Sequence, residues 1–415
     1  MATTTSERIV TLDVIRGVAV MGIFSVNVIG MAMIEAAYFN PPAYGFDGLA
    51  DRIMWALNFV LIDGKMRSLF SILFGASMLL VIDRARAKGG SGTGTHFARM
   101  AALLLLGAVH FYAIWWGDIL FTYAVVGIIA FAFSPLPARL LLLVSVGLFI
   151  FDIAPRIVNT PASFAAFEAA QSPGAGEEAI TNWQQRAAFF EATPSQIADD
   201  KIMHRSPLDH LAVTSGPRRF EPLNTVNFLW AETLALMLLG MAAFRSGFLT
   251  GAWTGRSYIR VAALGLGIGG TAFAALAWWV VASGFRLPEV IAATFALSGP
   301  FRPIMALGYA ALLILLFRSP GRARDRFASV GRAAFTNYLG SSLIGVLVFF
   351  DTGLGLYGDL SRAEAWLLVP VVWVIMLLWS KPWLDRFRFG PFEWLWRSLA
   401  RMKPQPMRKS APVAT

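Results

Sequence analysis

Asp63, Lys65 and Arg67 fall within five positions of one another inside NFVLIDGKMRSLFSILFGASMLLVID, a stretch otherwise apolar enough to cross a bilayer. An ionised group at bilayer depth costs at least ~2.5 kcal/mol, so such residues face one another or a wet interior rather than lipid. Other apolar runs carry their own exceptions. His110 lies in LLLLGAVHFYAIWWGDIL with Asp118 just beyond the following turn, Glu232 interrupts NFLWAETLALMLLGMAAF, and Arg302 follows Gly299-Pro300. Asp13 and Arg16 stand three apart at the start of the first run, and Asn27 lies about three turns further in.

An imidazole titrates near neutral pH and suits a general base, with Asp118 available to orient it. Lys65, Arg67 and Arg302 are of the type that binds an anion or stabilises a developing oxyanion. Setting His110 aside, two acids (Asp63, Glu232) oppose three cations (Lys65, Arg67, Arg302), a surplus that favours an acyl, phosphate or carboxylate guest over a proton relay. On a continuous helix Asp63 and Arg67 share a face and pair, whereas Lys65 points elsewhere and needs its own partner. Plainer roles are open to each: a helix-end ion pair for Asp13–Arg16, a buried neutral imidazole for His110, neutralisation of Arg302 or Lys65 by Glu232, and a topology anchor for Arg67.

The elements that must position these groups are helices. Of the 415 residues, 57% are hydrophobic and 14% charged, and mean hydropathy is +0.61. Soluble chains carry about 25% charged residues. The composition predicts an all-α, polytopic integral-membrane bundle. A span needs about 20 apolar residues, and about ten such runs are expected near 17–37, 53–82, 100–116, 119–133, 138–154, 223–244, 258–282, 288–317, 331–350 and 363–380. Gly64 and Gly299-Pro300 predict broken or re-entrant segments lining a polar chamber. Asp63 lies some 16 Å along the helix from Arg52 at the outer edge of the second run.

Lys and Arg concentrate in alternate connections, which predicts both termini in the cytoplasm of a bacterium and the chain in its cytoplasmic (inner) membrane. The organisation expected is an N-terminal membrane region (1–154), an extracytoplasmic loop (155–222) with a short helix around 178–191, a C-terminal membrane region (223–400) and a disordered tail (401–415). The loop is long enough to cap a site. Trp394 and Trp396 fit an interfacial helix. MATTTSERIVTLDVIRG lacks the pattern of a removable signal peptide, so the first run is expected to stay as a helix.

Much chemistry is excluded. The chain has no cysteine, which removes disulfides, thiolate metal sites and cysteine nucleophiles. Four histidines, three of them in expected loops, make a metal site an unpromising reading. No GxxxxGK[ST], HExxH or GxSxG occurs. The net charge of +10 is explained by the cytoplasmic connections and the tail, which meet lipid headgroups, so no nucleic-acid partner is expected.

RIVTLDVIRGVAVMGIFSVN, DGKMRSLFSILFGASM, LLGAVHFYAIWWGDILFTYAVVGI, VGRAAFTNYLGSS and WSKPWLDRFRFGPFEWLWRSL resemble the signatures of the YeiB-like family, whose conserved region is called domain of unknown function 418. The opening LDVIRG is also similar to that of transmembrane acyltransferases, among them acyltransferase family three and heparan-alpha-glucosaminide N-acetyltransferase. That resemblance implies transfer of an acyl group from cytosolic acyl-coenzyme A to an extracytoplasmic or membrane-bound glycan or lipid. Family three has a catalytic His eleven residues after the motif Arg; here that position is Asn27, and the first outer connection has no His. Neither relative's base carries over.

The leading expectation is therefore an integral-membrane acyltransferase without a metal. His110, Asp118 and Asp63 would be its catalytic groups. Asp13, Arg16, Asn27, Lys65, Arg67, Glu232 and Arg302 would serve donor and oxyanion. A transporter or flippase for an anionic metabolite or lipid is the alternative, since broken helices and mid-membrane charges also mark transport sites. A non-catalytic lipid-binding protein is the third.

Overall fold

The computed structural model describes residues 9–409. In hydrocarbon every backbone polar group must be satisfied within its own segment, so apolar runs become helices. The first region folds as α1 (Val10–Ala32), α2 (Glu35–Phe39), α3 (Leu49–Leu61), α4 (Lys65–Ala87), α5 (Gly92–Ala113), α6 (Leu120–Ala130) and α7 (Ala138–Val158). Four short helices follow: α8 (Thr160–Gln171), α9 (Glu177–Ala187), α10 (Pro194–Met203) and α11 (Pro207–Ser215). Next come α12 (Glu221–Arg245), α13 (Gly255–Ala282), α14 (Leu287–Ile291), α15 (Phe301–Leu316) and α16 (Arg322–Arg332). The chain ends with α17 (Ala334–Phe349), α18 (Arg362–Trp366), α19 (Leu368–Arg386) and α20 (Pro391–Ala400). No strand occurs among the described residues.

Among the described residues, seven helical segments are long and apolar enough to cross a membrane, and a bent pair, 287–297 with 301–316, makes an eighth. The ten expected are not all reached. The runs near 119–133 and 331–350 form apolar helices of 11 and 16 residues, at most ~24 Å long against ~30 Å of hydrocarbon.

Two ends of the bundle are distinct. At one, Arg245 at the end of α12 donates to the Ser134 carbonyl (2.7 Å), and Trp396 of α20 donates to the Arg99 carbonyl (2.9 Å). Residues 401–409 fold back here, where Arg388 N–H meets the Met407 carbonyl at 2.9 Å; residues 410–415 of the expected disordered tail lie outside the described residues. At the other end sits the 155–222 insertion. It is four helices rather than a loop with one, and the helix expected at 178–191 is α9. Asn40 Nδ2 donates to the Phe190 carbonyl at 2.9 Å, and Glu35 N–H to Asp200 at 2.8 Å, so the insertion is fastened over α2.

Both predicted breaks occur. The helix from Leu49 to Ala87 is interrupted at 62–64, where Gly64 takes φ +73° and α4 restarts at Lys65. A side chain at Gly64 would meet Arg302 at 2.9 Å, so this glycine also makes room for the arginine. After α14 a π-helical turn spans Ala292–Leu297, and the segment then bends by 59° into α15. A π turn leaves carbonyls without regular partners; Arg302 takes one of them, donating to the Thr294 carbonyl and to Ser298 Oγ (3.1 Å).

Candidate functional site

A cavity of about 790 Å³ occupies the half of the bundle beneath the insertion, within the ~300–1,000 Å³ typical of small-molecule sites. Its lining comes from the ends of α1, α4, α7 and α12 nearest the insertion, from α2, from residues 116–119, and from the break between α14 and α15. Of the residues singled out by sequence, Asn27, Asp63, Arg67, Asp118, Glu232 and Arg302 meet on its wall.

Glu232 lies about 16 Å along α12 from its first residue. There it is buried and receives two guanidinium groups, Arg67 on one carboxylate oxygen and Arg302 on the other at 3.3 Å. Arg67 therefore pairs with Glu232 and not with Asp63. The i,i+4 pairing assumed a continuous helix, and Asp63 sits in the interruption. Arg67 keeps one nitrogen, Nη1, buried and without a hydrogen-bond partner among the described residues. Asp63 makes no side-chain hydrogen bond among the described residues.

Lys65 leaves the chamber altogether. It is fully buried on the far side of the break, donating to the Phe59 carbonyl with its ammonium 3.0 Å from the centre of the Phe273 ring. A carbonyl and a π face are the separate partner that Lys65 was expected to need.

Asp118 and His110 are joined, in an order that sequence did not reveal. Asp118 is on the cavity wall, while His110 is fully buried behind it. Asp118 Oδ1 is 2.8 Å from His110 Nδ1, and its Oδ2 accepts from Phe121 N–H at 2.7 Å. His110 Nε2 is 2.9 Å from Ser342 Oγ. With Asp118 ionised, Nδ1–H donates to the carboxylate and the Ser342 hydroxyl donates to Nε2. The ring is thus held in orientation from both sides.

Asp13 and Arg16 are elsewhere. They bond to one another at 3.2 Å near the start of α1, and Arg16 also donates to Ser77 at 2.6 Å. Some 20 Å of helix separates Asp13 from Asn27.

At the mouth, Arg218 of the insertion's last turn bridges Glu35 (2.6 Å) and Glu221 (2.5 Å). Burial pushes the Glu35 carboxyl up to about 7 against the pull of Arg218, with Glu221 and Asp200 adding to the rise. Burial, then the charge of Asp63, raises the Tyr38 hydroxyl. Farther out, burial lowers His204 to about 3 and His210 to about 4.

Sequence reasoning missed Glu35, Tyr38, Trp116, Arg156, Phe189 and Phe190 on the wall. Most lie in connections, where nothing marks a polar or aromatic residue as inward-facing. Asp152 and Arg156 did carry a signal, an acid and a base four apart at the end of an apolar run, and they form an ion pair at 2.9 Å.

Residues 243–403 match a family described as a protein of unknown function (DUF418). The chain is 31% identical to "Uncharacterized protein YxaH" of Bacillus subtilis (strain 168), covering 99% of this chain and 98% of the relative. It is also 31% identical to "Uncharacterized protein YeiB" of Escherichia coli (strain K12), over 95% and 96% respectively. A 39.9 kDa protein of Bacillus acidopullulyticus, also uncharacterised, is 25% identical over 97% and 96%. No solved structure matches.

Proposed function

We infer, from the premise that this chain belongs to the YeiB-like DUF418 family and carries the helices of a multi-pass membrane protein, that its cavity is an acyl-transfer site. One observation supports this above others: a histidine-backed carboxylate, Asp118, shares a single cavity with two arginines held on one carboxylate. Acid–base chemistry and oxyanion stabilisation are what acyl transfer needs side by side.

In the reaction proposed, an acceptor hydroxyl attacks the carbonyl carbon of a thioester donor. The new C–O bond forms as the C–S bond breaks, the hydroxyl proton passes to Asp118, and the departing thiolate takes up a proton from solvent. Asp118 is the catalytic carboxylate and His110 a positioning residue, its imidazole fixed by Ser342. Arg67 and Arg302 face the carbonyl oxygen as charge develops, and Asp63 offers a second proton acceptor on the same wall. Acyl-coenzyme A is the donor proposed, entering from the basic end taken as cytoplasmic; the acceptor is a glycan or lipid on the insertion side.

The test is transfer of a labelled acyl group from acyl-coenzyme A to membrane or glycan acceptors in proteoliposomes. D118N is expected to lower the rate by about 10²-fold or more while the protein still folds. Native rates in D118N would overturn the assignment. The 59° bend at the cavity wall favours a second reading, transport of an anion. Passage of a labelled anion without thioester consumption would establish it in place of transfer.

A further inference from the structure

The charge balance of the cavity and the distribution of its aromatic rings together specify a ligand class. Six acids and three arginines line the wall, so a bare count suggests a cation site. The pairings divide the wall into separate sites of different sign. Asp152 is taken by Arg156, Glu35 and Glu221 by Arg218, and Asp118 by His110 and a backbone N–H. The single charge of Glu232 serves both Arg67 and Arg302. Around Glu232 alone this leaves one positive charge in excess, with Arg67 Nη1 lacking a hydrogen-bond partner among the described residues, while the carboxylates of Asp63 and Asp118 keep the wall as a whole negative. An uncompensated buried charge is costly and recruits a counterion. One excess charge, with Asp63 and Asp118 on the same wall, favours a monoanion over a dianion.

The opposite part of the cavity is apolar. Phe39, Phe189, Phe190, Phe228 and Phe295 line it from four separate elements. Phe295 lies 6.0, 5.7 and 6.1 Å from Phe39, Phe190 and Phe228. Phe39 and Phe189 are 4.8 Å apart. These rings, two of them from the insertion itself, form a collar between the arginines and the cavity mouth. The two arginines are interior, and the rings lie between them and the charged mouth formed by Glu35, Glu221 and Arg218.

We propose that the cavity binds a carboxylate with an apolar tail, the carboxylate seated against Arg67 and Arg302 and the tail in the phenylalanine collar. Resting on the acyl-transfer reading, this identifies the group transferred: an acyl chain whose carbonyl oxygen takes the place of the carboxylate. The carboxylate site itself is measurable without any transfer.

The experiment titrates the full-length protein in nanodiscs of zwitterionic lipid with decanoate, hexanoate, acetate, decanol, decyltrimethylammonium and inorganic phosphate. Tryptophan fluorescence, reported by Trp116 on the wall, gives the affinities. Decanoate should bind ~10–100-fold more tightly than decanol, the worth of charge-assisted hydrogen bonds, with hexanoate intermediate and acetate and phosphate far weaker. R67Q and R302Q should bring decanoate down to decanol, and F295A should weaken decanoate and decanol alike. E232Q, which releases both arginines, should tighten decanoate by several-fold, and so keeps the proposal testable if the arginine variants do not fold. Equal affinity for decanol and decanoate, tightest binding of the ammonium, or phosphate binding as well as decanoate would each overturn it. Carboxylate binding without thioester turnover would leave this site standing and remove the transfer reaction, whereas transfer without carboxylate selectivity would do the opposite.

Discussion

The distance between Arg67 and Glu232 is set by how closely α4 and α12 approach, and two glycines set that. A Cβ added to Gly240 would stand 1.8 Å from the Ile72 carbonyl oxygen, and one added to Gly75 would stand 2.0 Å from that of Met237. Both obstacles are backbone atoms and cannot rotate aside. Ordinary contact begins near 3.4 Å, so Gly240→Ala pushes the helices apart by about 1.6 Å at the crossing. Glu232 is about 12 Å along α12 from that point. If half the displacement reaches it, the Arg67–Glu232 bond, which spans these same two helices, is stretched by about 0.8 Å. Overpacking costs about 1–3 kcal/mol, offset by up to ~1 kcal/mol from better helix propensity. The site loses more, since each charge-assisted bond contributes about 1.5–3 kcal/mol. The expected signature is a melting temperature lowered by a few degrees and a decanoate affinity lowered at least ~10-fold. Both are read by tryptophan fluorescence in nanodiscs. Gly147→Ala in α7 is the control: its Cβ meets nothing within 4 Å, so stability should hold or rise and binding should not change. A Gly240→Ala protein that melts and binds like the native chain would refute the argument, as would a Gly147→Ala protein equally damaged.

Glu35 makes stability depend on pH in a defined sense. With its carboxyl raised from 4.5 to about 7, the folded protein holds a proton that the unfolded chain releases. The contribution is complete below 4.5 and is lost as pH rises through about 7, at most ~3 kcal/mol. The fall in melting temperature between about pH 5 and about pH 8 should therefore shrink in Glu35→Gln, and an equal fall in both proteins contradicts the assignment. His204 and His210 act in the opposite sense, since their folded values of about 3 and about 4 withdraw stability as pH falls below the ordinary 6.5; replacing both by Gln should reduce acid sensitivity in that window. The absence of cysteine allows a direct test of access: a disulfide between N40C and F190C, at the place where the Asn40 side chain donates to the Phe190 carbonyl, should lower decanoate binding well below that of the same variant reduced, which is itself weakened by loss of a collar ring. Binding unchanged by oxidation would place the entrance elsewhere.

What sequence could and could not convey follows from the range of the forces involved. The apolar runs and both breaks were legible, because burial and backbone satisfaction act locally and glycine and proline mark where they fail. Gly64 and Gly299-Pro300 are such marks. That Asp63, Glu232 and Arg302 converge was also inferable, since isolated charges in hydrocarbon are costly. Partners were not legible. Asp63 and Arg67 pair only if the helix continues between them, and the feature that made Asp63 notable, its neighbour Gly64, is what ends the helix. Lys65 counted towards a cation surplus in sequence but belongs to a different compartment, held by Phe59 and Phe273. The length of the insertion marked it as able to cap a site, but not which residues would do so, because Phe189 and Phe190 are inward-facing only once the body beneath them is in place.

Correcting the charge count changes the chemical conclusion in kind. By sequence, three cations against two acids gave an excess of one, with Lys65 contributing. In the folded chain Lys65 is absent from the cavity and a positive excess exists only locally, where Arg67 and Arg302 share Glu232, while Asp63 and Asp118 leave the wall as a whole negative. The agreement in sign is accidental, and only the second excess has a geometry. It puts the positive site against the broken helix, whose Thr294 carbonyl and Ser298 hydroxyl hold Arg302 in position, and it sets Asp118 on the same wall as a separate negative group. A site with opposite charges on one cavity wall can bind an anion and also accept a proton from a second reactant. A simple anion pore needs only the first.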